Sequence, residues 1–297
     1  MKVDFHTHST ASDGTFAPAS LAEEGCAAGL AAMALTDHDS VGGLRAFLAA
    51  APLARRAASL VPGVELSVEP GPRLELFHLL GLGVDPSHPA LAALLDEVLE
   101  GRNARNARII ANFNRLGFGM GEEVLSYANG RILARPHFAR WLVERGHATT
   151  AAEAFEKYLL PDSPKETRCY EERIRPSQER AISAIHAAGG LCVLAHPRYG
   201  RRAWRGAGPD YAVAERAAAE LKEKGLDGVE ALYQANTPEE NVAFVRMADR
   251  LGLLKTAGSD FHGANKPAVT LGMEVSEAFA APLLERLGMA RSGRGET

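Results

Sequence analysis

Cysteine is scarce: Cys26, Cys169 and Cys192 are the only three in 297 residues. Odd in number, far apart and without a Cys-x-x-Cys pair, they imply neither a disulfide framework nor a zinc ribbon. No apolar run approaches the ~20 residues that span a bilayer, and the N-terminus begins on a strand pattern without an apolar signal segment. The expectation is a protein of the reducing cytoplasm with no membrane partner. Excess basic charge is missing too. Lysine and arginine number 33 against 37 acidic residues, a formal net charge of −4, whereas a surface built to grip polymeric nucleic acid is usually strongly basic. A nucleotide-sized ligand stays open. No internal repeat or low-complexity tract is evident. What remains is an ordinary globular composition, 46% hydrophobic and 24% charged, in a chain long enough to bury a substantial core.

Strand and helix patterns alternate from residue 1 to about 83. Strands are expected over 3–5, 31–35, 60–61 with 64–68, and 74–82, and helices over 19–28 and 42–51; residues 65–82 would also suit a local hairpin. From about residue 101 the character shifts to helices over 102–116, 122–129, 137–145 and 151–160, with no strand between them, closed by a polar, proline-containing stretch over 161–176. The alternation then resumes: helix 177–188, strand 191–195, helix 211–224, strand 228–232, helix 238–251, strands 253–257 and 269–275, a helix over 282–289 and a frayed tail over 290–297. The division expected is an α/β domain over 1–100 and 177–297 with a helical insertion over 101–176. Alternation of this kind favours a parallel, barrel-like (β/α) architecture of seven or eight strands.

Onto that map fall the residues that carry chemistry. Side chains two apart on an extended chain share a face, so His6 and His8, at the end of the first strand, converge on one point. Asp13 follows at a Ser-Asp-Gly turn. His38 ends the second strand, Glu65 sits in the third, His78 lies within the fourth and His196 follows the fifth. Asp260 and His262, a second pair two apart, follow the strand over 253–257. In parallel barrels the C-terminal strand ends form one rim where catalytic groups collect; scattered core or surface histidines have no reason to choose it. For Glu65 or His78 singly, a buried and hydrogen-bonded polar role is the alternative. Imidazole and carboxylate together suit manganese, zinc or iron better than calcium or magnesium.

Other candidates are weaker signals. Arg135-Pro136-His137 begins a helix, a natural anion site or else an exposed capping segment. Arg198, two residues after His196, belongs to a basic run over 198–205 with two aromatics, which suits a second phosphate, a nucleobase or plain solvation. Arg102, Arg105 and Arg108 recur at helical spacing and read as a solvated helix face, and His88, His147 and His186 read as structural or surface. Of the residues flanking His38, Asp37 or Asp39 is expected to orient its ring, with Asp39 or Ser40 capping the following helix.

The segments Asp4-Phe5-His6-Thr7-His8-Ser9, Ala34-Leu35-Thr36-Asp37-His38-Asp39, Pro62-Gly63-Val64-Glu65, Phe77-His78-Leu79-Leu80-Gly81, Ala195-His196-Pro197 and Gly258-Ser259-Asp260-Phe261-His262 together resemble the polymerase and histidinol phosphatase (PHP) family. The resemblance covers nearly all of the chain outside the helical insertion. It implies a distorted (β/α)7 barrel that hydrolyses phosphate esters with two or three divalent metals, and it likens the insertion to the helical cap of the stand-alone small-molecule branch. Carried over by position, it implies that His6, His8, Glu65 and Asp260 hold one metal, that Glu65 bridges to a second completed by His78 and His196, and that Asp13, His38 and His262 hold a third. Some relatives have histidine where Asp13 stands. Two metals sharing Glu65 would bring a bridging water toward a neutral pKa and clamp the attacking and leaving oxygens, with Asp260 as acceptor of the water's proton. Arg135 and His137 would meet the substrate phosphate, with Arg198 on the rim.

The expected activity is therefore metal-dependent hydrolysis of a small nucleotide or ribose phosphate, with manganese the expected metal and zinc or iron compatible. A five-membered cyclic ribose phosphate, opened and then dephosphorylated, is favoured slightly over a nucleoside 3′,5′-bisphosphate, with histidinol phosphate a further monoester. The rivals are an amidohydrolase acting on a C–N bond and a metal-bound scaffold without turnover.

Overall fold

The computed structural model describes residues 1–50, 58–70, 77–127, 133–173, 175–198 and 210–289. Two compact units divide the chain, Met1–Leu95 with Pro176–Thr297 and Asp96–Arg175. The basic run over 199–205 and the tail over 290–297 lie outside the described residues.

In the first unit the strands are β1 (Lys2–Asp4), β2 (Ala32–Leu35), β3 (Ser59–Val68), β4 (Phe77–Leu82), β5 (Leu191–Leu194), β6 (Gly228–Tyr233), β7 (Leu254–Gly258) and β8 (Met273–Glu274). They form one sheet in the order β7-β6-β5-β4-β3-β2-β1-β8. Beyond its last residue β1 continues alongside β7: the Phe5 amide donates to the Ala257 carbonyl, and the Asp260 amide to that of His6, each at 2.9 Å. These bonds curl seven strands into a nearly closed barrel. The two-residue β8 lies antiparallel on the start of β1, Lys2 opposite Glu274. Strands such as β2 and β5 are buried at every position, as strands with both faces covered must be, which explains their unbroken apolar sequence.

Besides β8, β4 departs from the parallel expectation. β4 runs antiparallel to β3, from Gly63 opposite Leu82 to Val68 opposite Phe77, and antiparallel to β5 as well. Residues 65–68 and 77–82 thus pair antiparallel, as the hairpin reading of 65–82 allowed. The reversal matters for chemistry because it puts the N-terminal end of β4, with His78 at its second position, on the rim that the C-terminal ends of the parallel strands share.

The helices of this unit are α1 (Pro18–Ala27), α2 (Leu44–Ala49), α7 (Gln178–Ala187), α8 (Tyr211–Glu223), α9 (Pro238–Leu251) and α10 (Glu277–Arg286). α9 shows how the local sequence sets the ends: Thr237 accepts from the Glu240 amide, Glu240 reaches back to the Thr237 amide, Pro238 opens the first turn and Gly252 closes in the left-handed region at φ 60°. α10 starts earlier than expected, because Ser276 caps it by accepting from the Phe279 amide, and Pro282 lies inside the helix rather than at its first turn.

The second unit is helical. α3 (Pro89–Arg115), α4 (Glu123–Ser126), α5 (Arg135–Glu144), α6 (Ala151–Ala154) and a π-helical turn over Phe155–Leu159 follow in order, with α3 beginning before the unit boundary. That helix is longer than its expected span of 102–116, since residues 90–100 are almost all strong helix formers and Pro89 suits a first turn. Phe113, Phe138, Trp141, Leu142 and Tyr158 form the centre of its own core. Among the described residues no helix is long and apolar enough to cross a membrane.

Candidate metal centre

Glu65 is the hub. It sits in β3, fully buried, and four strand ends aim imidazoles at its two oxygens. Oε2 lies 3.2 Å from His6 Nε2, 3.2 Å from His8 Nε2 and 2.9 Å from His38 Nδ1. Oε1 lies 2.8 Å from His78 Nδ1 and 3.1 Å from His196 Nε2. A second carboxylate faces the same rings, with Asp260 Oδ1 3.2 Å from His8 Nε2 and 3.6 Å from His6 Nε2. At the other edge Asp13 lies 3.2 Å from His262 Nε2 and 3.8 Å from both His8 Nδ1 and His38 Nε2.

The structure thus brings His6, His8, Asp13, His38, Glu65, His78, His196, Asp260 and His262 to one mouth of the barrel. Three overlapping groups have ligand atoms within 4.8 Å of one another: His6, His8, Glu65 and Asp260; His38, Glu65 and His78; and His8, Asp13, His38 and His262. The grouping differs in detail from the sets that the resemblance implies. His38 stands with Glu65 and His78 as well as with Asp13, and His196 approaches Glu65 without entering a group.

The atoms themselves test the fit to a cation. His6 Nε2, both nitrogens of His8, His38 Nδ1, His78 Nδ1 and Glu65 Oε2 are buried and make no hydrogen bond. Buried polar atoms are nearly always partnered, so six lone-pair-bearing atoms crowded together and unsatisfied suit a positive ion as their common partner. Mixed imidazole and carboxylate donors suit manganese, zinc or iron.

Behind the ligands stands a layer that the sequence reading did not name. Glu230, fully buried in β6, accepts from His6 Nδ1 at 3.0 Å and from the His196 amide at 2.6 Å. That bond keeps a proton on His6 Nδ1 and turns Nε2 toward Glu65, where a metal would take the place of any second proton. His262 is fixed likewise, its Nδ1 donating to the Asp260 carbonyl at 2.8 Å. Asp4 receives four donors, from the Ser259 amide and hydroxyl and the amides of His6 and Gly272. Asp260 Oδ2 accepts from the Tyr233 hydroxyl at 2.9 Å and from Lys266 Nζ at 2.6 Å. Those bonds help hold Asp260 at φ 58°, one of three non-glycine residues in the left-handed region among the described residues, with His196 at 27° and Asp39 at 51°. Such conformations cost on the order of 1–3 kcal/mol each and persist where surroundings enforce them. Gly258 is required by the same crowding: a Cβ there would stand 2.2 Å from Glu230 Oε1 and 2.5 Å from His6 Cβ. A lone Glu inside the apolar run of β6 was the available signal for Glu230.

The flanks of His38 have partners of their own. Asp37 accepts from the Ser9 amide and the hydroxyls of Ser9 and Ser12, pinning the loop that carries Asp13. Asp39 accepts from the Ser67 amide. Gly43 is the N-cap of α2, without a side-chain cap, so neither Asp39 nor Ser40 serves there.

Charge and proton are tightly coupled at the centre. Burial drives the His8 imidazolium down, but the carboxylates of Asp260 and Glu65, each 3.2 Å from its Nε2, outweigh it and hold the pKa up at about 9. His6 is likewise raised well above its usual value, burial being outweighed by Glu230, Glu65 and Asp260. His78 goes the other way, pushed down to about 4 chiefly by burial. Burial would raise Glu65, yet His38, His6 and His78 hold it far below the carboxylate range. Because the folded His8 pKa lies above its reference of 6.5, its stabilising contribution in metal-free protein is complete below about pH 6.5 and lost as pH rises through about 9, on the order of 3 kcal/mol. A metal must displace that proton. Metal uptake at pH 7 is therefore expected to release at least one proton, measurable by calorimetry in buffers of different ionisation enthalpy; uptake without release would contradict this charge state.

The remaining predicted residues have defined surroundings. Arg198 donates to the Ala235 carbonyl at 2.7 Å and pairs with Glu240 at 3.4 Å. In the helical unit, Arg135 stands at the start of α5, donates to the Leu159 carbonyl at 3.2 Å and lies over the Tyr170 ring; His137 Nδ1 accepts from the Ala134 amide at 2.9 Å, capping the same helix. His186 pairs with Asp227 at 2.7 Å, His147 stacks against Trp141, and His88 accepts from the Ala90 amide. Of the three arginines read as a solvated face, Arg108 is exposed and pairs with Glu171, but Arg102 and Arg105 are buried. Their spacing of three gave a shared face without saying which way it points.

A family model for the PHP domain matches residues 4–159. The chain is 36% identical over 275 residues to a 3′,5′-nucleoside bisphosphate phosphatase of Chromobacterium violaceum, covering 91% of this chain and 90% of that protein. It is 34% identical over 262 residues to the 5′-3′ exoribonuclease Rnm of Salmonella typhimurium, covering 87% and 84%. A phosphoribosyl 1,2-cyclic phosphate 1,2-diphosphodiesterase of Eggerthella lenta matches at 29% over 263 residues, 88% of this chain and 94% of that one. Among solved structures, an amidohydrolase of Chromobacterium violaceum with bound sulfate and no metal aligns over 97% of both chains at 33% identity, with a TM-score of 0.78.

Proposed function

Since the chain belongs to the PHP domain family and is a metal-dependent phosphoesterase, we propose that its substrate is a small nucleotide bearing two phosphates, represented by a nucleoside 3′,5′-bisphosphate. The observation that carries this reading is the 36% identity to a bisphosphate phosphatase across nine-tenths of both chains, with nine ligand-grade side chains at one barrel mouth. The cyclic ribose phosphate that the sequence reading favoured takes second place, since the relative with that name is less similar, at 29%.

We assign the nine residues to two or three divalent ions, manganese being the proposed species. When bound, such ions lower the pKa of a coordinated water toward neutrality and neutralise charge on phosphoryl oxygens. The protein's own groups do the rest. Glu65 and His196 bind from the centre of the mouth, and Glu230 keeps the His6 lone pair turned inward. Asp260, held on Oδ2 by Tyr233 and Lys266, takes the proton of the attacking water on its other oxygen. Arg135 and His137 are assigned to substrate phosphate, and Arg198, pre-oriented by Glu240, to the same role on the rim. Three unpaired cysteines accord with a reducing cytoplasm as the proposed location.

A second reading has support of its own. Relatives named 5′-3′ exoribonucleases reach 34% identity. An enzyme working from a chain end needs to hold only the terminal nucleotides, so the net charge of −4, which speaks against a long binding groove, does not speak against this activity.

The deciding experiment measures phosphate or nucleotide release by the manganese-loaded protein. The panel holds a nucleoside 3′,5′-bisphosphate, a ribose cyclic phosphate, histidinol phosphate, a 5′-phosphorylated oligoribonucleotide and an amide. A kcat/KM at least tenfold higher for the bisphosphate is expected. Preference for the oligonucleotide would transfer the assignment to the exoribonuclease reading, and turnover of the amide alone would replace phosphate-ester chemistry with C–N cleavage.

A further inference from the structure

Asp13 differs from the other candidate ligands in how it is carried. Its side chain is 40% exposed, against 0% for His6, His8 and Glu65, and it comes from a turn beyond β1 rather than from a strand or its end. That turn closes on Ser9. The Ser9 carbonyl accepts from the amides of Ser12 at 3.1 Å and Gly14 at 2.9 Å, and the Ser9 hydroxyl accepts from the Ala11 amide at 3.1 Å. Ser9 is held in its turn by Asp37, just past the end of β2. One oxygen of that carboxylate accepts from the Ser9 amide at 2.8 Å and the Ser12 hydroxyl at 2.6 Å, the other from the Ser9 hydroxyl at 2.6 Å. Asp37 is buried. It neighbours His38 in sequence, yet what its carboxylate grips is the seat of Asp13.

A buried carboxylate is costly without donors, and bonds to an ionised acceptor are among the strong ones. Three of them, all from one turn, fix that turn against the end of β2. The ligands around Glu65 have no such dependence, because strand backbone carries them: His6 and His8 continue β1, Glu65 lies in β3 and His78 in β4. We infer that Asp37 is a positioning residue for a single ion. It sets the turn that brings Asp13 to 3.2 Å from His262 Nε2 and 3.8 Å from His38 Nε2, and so governs the affinity of that group while leaving the groups around Glu65 unaltered. Asp37 has this role only if Asp13, His38 and His262 hold an ion, as proposed above.

The test is metal binding, which turnover does not enter. Manganese alone is titrated into full-length, metal-free protein by calorimetry, and bound metal is then counted by emission spectroscopy. Asp13→Ala sets the reference and is expected to take up one ion fewer than wild type. Asp37→Ala is expected to weaken that same ion roughly 10–100-fold and to leave the others within about twofold of wild type. Saturating manganese restores full occupancy in Asp37→Ala, whereas Asp13→Ala stays one ion short. Asp37→Asn keeps an acceptor for the Ser9 amide and the Ser12 hydroxyl and offers the Ser9 hydroxyl a donor instead, so it should bind close to wild type. Ser12→Ala removes the anchor next to Asp13 and should weaken the same ion by roughly three- to tenfold. Being a small change in a turn, it carries the test if Asp37→Ala does not fold. Equal weakening of every ion in Asp37→Ala would make Asp37 a general support of the fold and overturn its assigned role. So would an asparagine variant as weak as the alanine one, or wild-type affinity for that ion in both Asp37→Ala and Ser12→Ala while Asp13→Ala loses it. Wild-type metal uptake in Asp13→Ala would instead remove the metal from Asp13, His38 and His262, and the positioning role with it.

Discussion

Glu65→Gln is expected to lower phosphoesterase turnover at least about a thousandfold and to reduce the metal content of the purified protein. The magnitude follows from position: Glu65 offers an oxygen to every one of five imidazoles, from His6 to His196, and metal assistance to ester hydrolysis is worth several kcal/mol, with each ~1.4 kcal/mol a tenfold change in rate. Glutamine keeps the shape and one acceptor oxygen but removes the charge that balances the ring. In metal-free protein the same change leaves His6 and His8 without the anion that holds their protons, and removing one partner of a buried ion pair typically costs about 3–5 kcal/mol. Metal stoichiometry by emission spectroscopy and unfolding by calorimetry would both register the loss. A variant with full metal content and full activity would remove Glu65 from the centre of the mechanism.

Glu230→Ala is the second large effect, and it concerns a residue that does not face the mouth. Its carboxylate fixes the His6 ring from behind and anchors the His196 amide, so its loss frees His6 to turn its proton inward and slackens the strained turn at His196. Groups in this supporting position typically contribute roughly 10–100-fold in metal affinity or activity. The expected signature is a weakened affinity for manganese that saturating metal partly restores, whereas loss of a direct ligand is not restored. Glu230→Gln, which still accepts from His6, should fall between alanine and wild type. Wild-type metal affinity in Glu230→Ala would show that His6 is oriented by its own strand geometry.

Much of this centre was readable in advance because its signals are local. His6-Thr7-His8 and Asp260-Phe261-His262 carry their meaning in a two-residue spacing on extended chain, and His38 and His196 end apolar runs short enough to be strands. The paired α/β periodicity likewise sufficed for the barrel class, and the loss of strand pattern after residue 101 for a helical unit. Buried supporting carboxylates were harder, since Asp4 and Glu230 each show only as one acid within an apolar stretch.

Other features depend on contacts that no spacing encodes. The antiparallel course of β4 follows from its pairing with β3 and β5, and that pairing carries His78 to the rim from the opposite chain direction. Which imidazole meets which carboxylate depends on barrel closure, where backbone bonds join the continuation of β1 to β7 across more than 250 residues of chain. The three arginines of α3 divide for the same reason: helical periodicity aligned them, but only tertiary packing buried Arg102 and Arg105 and left Arg108 in solvent. The chain's local order specified the kinds of ligand and the elements bearing them. Long-range packing selected the partners, because distances of about 3 Å between side chains far apart in sequence exist only once the backbone has closed around them.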